Sequence, residues 1–193
     1  MKENSPMRIL AISGSLRASS SNTALLQAAV ALAPQGIDLH FYAGLGDLPH
    51  FNPDLDDDRV SPAVSDWRAQ LQSSDGVVFS TPEYAHGIPG VLKNALDWVV
   101  GSGELAEKPV TLFNASPRGT HAQAALTETL TVMSAKVVLA SALTLQLLGK
   151  TLTASQIAAD PDMSAALRAG IDSLALAITD HIRGNPVHNV GVS

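Results

Sequence analysis

Short apolar runs alternate along this chain with stretches of helical period, and that alternation constrains the fold more than any other feature. Arg8 to Ile12 reads as a first strand. The Ala- and Leu-rich stretch from about Asn22 to Ala33 reads as a helix that Pro34 stops, since proline brings no N–H and clashes with the preceding turn. Ile37 to Tyr42 alternates apolar and polar residues as a half-buried strand does. The runs "DGVVFST" (75–81) and "PVTLFNAS" (109–116) are rich in Val, Phe and Leu and read as fully buried strands, with a helix from about Ile88 to Val100 between them. "KVVLASALTL" (136–145) supplies a fifth strand and Met163 to Ile182 a last helix, after which "GNPVHNVGVS" (184–193) is expected to be a loose tail. A long polar loop, "AGLGDLPHFNPDLDDDRVSP" (43–62), follows the second strand and ends at a helix start, with Ser61 as N-cap and Pro62 in the first turn. Loops of that length often carry function.

Strands that alternate with helices form a parallel sheet covered on both faces, because right-handed crossovers carry each helix over the sheet. No repeat or linker divides the sequence, so residues 1–183 are expected to form a single α/β domain of three layers. In such sheets ligands bind beyond the carboxyl ends of the strands, near the point where the strand order reverses. Three unusual stretches fall there: "SGSLRASSSN" after the first strand, "STPEYAHGIPG" after the third and "NASPRGTHAQ" after the fourth.

The first of these gathers hydroxyls, an amide and one cation, Arg17, where a strand turns into a helix whose N-terminal N–H groups favour an anion. Read alone it is more readily an N-cap turn with an exposed Arg than a phosphate cup; its place at the end of the first strand reverses that preference. It is neither a dinucleotide fingerprint, since Gly14 stands without the other two glycines, nor a Walker loop. "GKT" at 149–151 is a decoy for the same reason, with Thr144 where the Walker pattern needs Gly. In the second stretch Pro82, Tyr84, Gly87, Pro89 and Gly90 make a flat, partly apolar platform, or an ordinary strand-to-helix loop with a core Tyr. The third stretch adds Ser116, Arg118 and Gly119 at another mouth.

The composition narrows the chemistry. A net charge of −6 gives no broad basic surface, so nucleic acid is not expected as a partner and any anion must be held locally. The lack of Cys excludes disulfides, thiolate nucleophiles and Cys-ligated metals, so redox chemistry would need a cofactor. No run of apolar residues is long enough to span a bilayer, and the early residues lack a signal-peptide core, so the expectation is a cytoplasmic protein without a membrane partner. Asp54, Asp56 and Asp58 begin like a calcium loop, but Arg59 and Ser65 occupy the positions of its Gly and bidentate Glu. The histidines show no metal-ligand spacing, and no metal is expected, although His86 and His121 belong to loops at the strand-end mouths. No G-x-S-x-G elbow is present, and Glu107, Lys108, Asp160 and Asp162 read as solvated surface charge.

Taken together, "GSLRASSSN", "TPEYAHGIPGVLKNALDWV" and "DLPHFNPDLD" resemble the phosphate loop, the most specific motif and the second-strand loop of the NADPH-dependent FMN reductase family, the flavodoxin-like group that includes quinone, chromate and azo-dye reductases. The resemblance runs through roughly residues 8–145 and implies a flavodoxin-like three-layer fold with a five-stranded parallel sheet in the order 2-1-3-4-5. It implies that Ser15, Arg17, Ser20, Asn22 and Thr23 bind the phosphate of FMN. Pro82, Glu83, Tyr84 and Ala85 would line the ring, and Ser116 and Gly119 would border its other side. It further implies NADPH or NADH as co-substrate, a small quinone-like electron acceptor, no catalytic acid or base, and a homodimer or homotetramer. The sequence departs from the family at Ala85, where many relatives have Asn, at His86 and Gly87, and at Pro117 and Arg118, which replace a more glycine-rich run. A flavodoxin-type electron carrier, or an FMN-binding protein without its own NAD(P)H turnover, is the alternative.

Overall fold

The computed structural model describes residues 5–57, 60–147 and 149–184. Parallel pairing gives the sheet order β2-β1-β3-β4-β5, with β1 at Met7–Ser13, β2 at Ile37–Tyr42, β3 at Gly76–Ser80, β4 at Pro109–Asn114 and β5 at Lys136–Val137. That order is the flavodoxin-like one, and its reversal lies between β1 and β3.

The fifth strand differs from the expected continuous run. β5 ends after Val137, a tight turn follows at Leu139–Ser141, and a separate strand β6 (Leu143–Thr144) pairs with the far end of β4. The break comes where the carbonyl of Val138 accepts from the hydroxyls of Ser141 at 2.8 Å and Thr111 at 3.3 Å, drawing the chain out of the ladder and leaving Leu139 exposed.

Alternation along the strands sends Leu10, Ile12, Val77, Phe79, Val110 and Leu112 to one face and Ile9, Ala11, Val78 and Phe113 to the other. Helices α2 (Pro62–Ser73), α3 (Gly90–Val100) and α4 (Thr120–Val132) cover the first face with Trp67, Leu96, Trp98 and Leu126. Helices α1 (Ser21–Leu32), α5 (Ala154–Ala159) and α6 (Pro161–Gly184) cover the second with Leu25, Leu26, Ile157 and Leu174. Ser61 caps α2 as expected, accepting from the Val64 N–H. Two residues expected in solvent act as caps instead. The Lys108 ammonium donates to the carbonyls of Leu71 and Ser74 at the end of α2, and burial lowers its pKa; the Asp160 carboxylate accepts from the Met163 N–H at the start of α6.

The described part of the loop after β2 is tied down at Pro49, Phe51 and Asp56. Asn94 accepts from the Phe51 N–H at 2.7 Å and donates to the Pro49 carbonyl, which also accepts from the Trp98 indole at 2.8 Å. Arg68 bridges Asp56 at 2.7 Å and the Trp98 carbonyl at 2.6 Å. Asp58 and Arg59, and the expected tail beyond Gly184, lie outside the described residues; Gly184 itself closes α6. Among the described residues no helix is long and apolar enough to cross a membrane.

Candidate functional site

A cavity of about 900 Å³ opens beyond the carboxyl ends of β1, β3 and β4. Its floor depends on Gly14, whose N–H donates to the Ser80 carbonyl at 2.8 Å. A Cβ there would stand 2.4 Å from the Thr81 hydroxyl oxygen, so the close approach of β1 to β3 requires glycine. Two polar contacts then fix the first turn of α1 over the strand ends: Ser13 and Thr23 share a part-buried hydroxyl hydrogen bond of 2.9 Å, and the Ser80 hydroxyl donates to the buried Asn22 side-chain carbonyl at 3.0 Å. Ser20 caps the helix, accepting from the Thr23 N–H. The N–H groups of Ser21 and Asn22 keep no acceptor among the described residues and, with the helix dipole, mark an anion position.

All the residues expected from the sequence except Ala85 line this cavity. Ser15, Arg17, Ser20, Asn22 and Thr23 form the wall after β1; Pro82, Glu83 and Tyr84 form the wall after β3; Ser116 and Gly119 lie after β4. Ala85 stands at the tip of a turn closed by reciprocal hydrogen bonds of 3.0 Å between Tyr84 and Gly87. Ala85 at φ 50° and His86 at φ 59° both occupy the left-handed region, the pattern of a type I′ turn, where Asn and Gly are preferred. After β4, the Asn114 side chain accepts from the Ser116 N–H and the Ser116 hydroxyl from the Arg118 N–H, which brings Gly119 to the start of α4.

A further wall escaped the sequence reading. Lys150 and Thr151, dismissed as part of a Walker decoy, and Thr153 just beyond them line the cavity because α5 packs on α1 and carries the preceding loop across the mouth. One signal was present: Thr153 and Gln156 form a capping box, the Thr-x-x-Gln spacing that announces a helix start. Arg17, Arg118 and Lys150 all line the cavity, and none meets an acidic partner among the described residues. Away from it, Arg8, Arg68, Lys93 and Lys136 each meet a carboxylate.

These features coincide with what the chain is similar to. It is 39% identical over 112 residues to an NAD(P)H-dependent FMN reductase of Pseudomonas aeruginosa, a match covering 57% of this chain and 60% of that protein. It is 33% identical over 113 residues to a quinone reductase of Escherichia coli, again over 57% of this chain and 60% of the relative. Among solved structures, the flavoenzyme NAD(P)H:(acceptor) oxidoreductase of Paracoccus denitrificans superposes with a TM-score of 0.72 at 28% identity, covering 91% of this chain and 98% of that one. The family profile described as NADPH-dependent FMN reductase matches residues 7–147, from the first residue of β1 past β6 and through every strand that bounds the cavity. On that match the chain belongs to the NADPH-dependent FMN reductase family.

Proposed function

We propose that this chain is an FMN-dependent NAD(P)H oxidoreductase that passes two electrons from NADPH or NADH to quinone-like or other small electrophilic acceptors. The charge of the cavity carries the reading: in a chain of net charge −6, Arg17, Arg118 and Lys150 face one space without acidic partners among the described residues, beside the open N-terminus of α1. Cations gathered this way repel one another until an anion meets them, and phosphate suits both the cations and the helix end. The rest of the lining suits the rest of the cofactor, with serine and threonine hydroxyls for a polyol and the Pro82–Tyr84 wall for a flat ring.

FMN, when bound, accepts a hydride from a nicotinamide and delivers two electrons to a second substrate. Ser15, Arg17, Ser20, Asn22 and Thr23 would hold its phosphate, the last two while tied to Ser80 and Ser13, and Lys150 would add a second charge. Pro82, Glu83, Tyr84 and Ala85 would line the ring, with Ser116 and Gly119 on its other side. Tyr84, 57% exposed, leaves the mouth open, so donor and acceptor can use the same opening in turn. The names of the two curated relatives, one an FMN reductase and one a quinone reductase, support this assignment of cofactor and acceptor class. We also read residues 1–183 as one FMN-binding domain that works in the cytoplasm as a homodimer or homotetramer, which light scattering on the purified protein would test.

The purified protein is expected to be yellow with one FMN per chain. Anaerobic NADPH or NADH should bleach it, and benzoquinone should restore the colour. A colourless protein with no fluorescence change on FMN titration overturns the cofactor reading. A bound flavin that neither nicotinamide bleaches within minutes makes the chain an electron carrier instead.

A further inference from the structure

At the rim of the cavity the turn after β3 meets the first turn of α4, and three side chains with metal-binding atoms converge there. Glu83, His86 and His121 bring ligand atoms within 4.8 Å of one another. The imidazoles of His86 and His121 are stacked, with ring centroids 4.1 Å apart and planes 18° from parallel. The carboxylate is already oriented: one oxygen of Glu83 accepts from the Ala122 N–H at 2.9 Å, and the other has no protein partner among the described residues. Both imidazoles are exposed, with no hydrogen-bond partner among the described residues.

We propose that Glu83, His86 and His121 bind one divalent transition-metal ion of the zinc type across this rim. Two imidazoles and a carboxylate form a borderline donor set that suits Zn²⁺ or Ni²⁺; Mg²⁺ and Ca²⁺ demand shells of oxygen, and no thiolate is present to select softer ions. Around a tetrahedral zinc the ligand atoms stand roughly 3.3 Å apart, given metal–ligand bonds of about 2.0–2.1 Å. Exposed rings pivot freely enough to close the present separation, while the carboxylate, held by the Ala122 N–H, serves as the fixed point, the role that outer-shell hydrogen bonds play in metal centres. The protein would supply three ligands and leave a fourth position for water. Because His86 comes from the turn before α3 and His121 from the first turn of α4, the ion would join a loop and a helix that are otherwise connected only by the Glu83 hydrogen bond among the polar contacts described at this rim. Glu83 also lies in the wall proposed for the flavin ring, but the two histidines that complete the site do not line the cavity, so the metal reading is tested apart from the flavin one.

Calorimetric titration of Zn²⁺ into the full chain, as purified, tests the proposal alongside His86→Ala, His121→Ala and the double variant. The expected result is one ion per chain, weakened about tenfold or more by each single substitution and lost in the double, with Mg²⁺ giving no saturable binding. Both histidines are exposed, so the circular dichroism and melting temperature measured without metal should not change. Unaltered Zn²⁺ binding in the double variant would assign the ion to other histidines and overturn the site, as would a wild-type chain that binds none. This outcome is read without any reductase assay, so it stands or falls separately from the proposed activity.

Discussion

The loop after β1 and the loop after β2 are both polar, both follow strand ends, and both belong to motifs that resemble the same family, yet they do opposite things with their hydrogen bonds. The longer one spends its polar groups on the protein: Pro49, Phe51 and Asp56 are held by Asn94, Trp98 and Arg68, and no described residue of the loop lines the cavity. The shorter one leaves the N–H groups of Ser21 and Asn22 and the Arg17 guanidinium without protein acceptors among the described residues. Length and polarity therefore do not identify a binding loop. Donors held in place and left unpaired do.

The sharpest way to break this contrast is through Trp98, which is fully buried under the longer loop and whose indole holds the Pro49 carbonyl. Trp98→Ala should cost about 3–5 kcal/mol of stability by urea unfolding, while the folded fraction binds FMN as before. If FMN affinity fell in step, the two loops would not be separate devices. The converse substitution is Arg17→Ala, expected to weaken FMN by about 1.5–3 kcal/mol, roughly 10- to 100-fold, while leaving riboflavin affinity and the unfolding midpoint unchanged. Equal loss for both ligands would show that Arg17 supports the fold.

The turn at 84–87 lies between these cases, since it is closed on itself but closed under strain. A non-glycine residue in the left-handed region costs about 1 kcal/mol, so Ala85→Gly should recover part of that as a higher melting temperature, reduced by the greater freedom of the unfolded chain. A lower melting temperature would mean that the Ala85 methyl makes a contact that outweighs the strain. The last effect is absent at neutral pH and concerns Tyr42, at the root of the longer loop. Burial, and then the Asp66 carboxylate, raise its pKa from 10.0 to about 12. Through that window the unfolded chain ionises while the folded one keeps its proton, so the unfolded state binds fewer protons and stability falls as pH rises. Tyr42→Phe should flatten the alkaline slope, and an unchanged slope would assign it to other groups.

Strands β1 to β4 and helices α1, α2, α3 and α6 were legible because each local pattern agrees with its burial, whereas α4 was not read: Val77, Val78 and Phe79 are apolar in succession because helices cover both sheet faces. The fifth strand was misread because an apolar run records burial rather than pairing, and the excursion at Leu139–Ser141 leaves that composition unchanged. The open donors after β1 were legible from serines and an arginine at a strand-to-helix turn. Lys150 was not, because only the packing of α5 on α1 brings it to the cavity. His86 and His121 were placed at the strand-end mouths, but their convergence with Glu83 was not legible, since the three are joined by the fold and not by a repeat distance along the chain.

The wall made by Lys150, Thr151 and Thr153 lies beyond residue 147, where the family match ends. The pocket is thus divided: its floor lies within the family match, while one side lies beyond it. Because α5 rests on α1 and not in the sheet, substitutions at 149–154 can change what the pocket accepts without disturbing a single strand pairing. Changes there can therefore alter the shape of the cavity in small steps, with the open donors of the β1 turn left as they are.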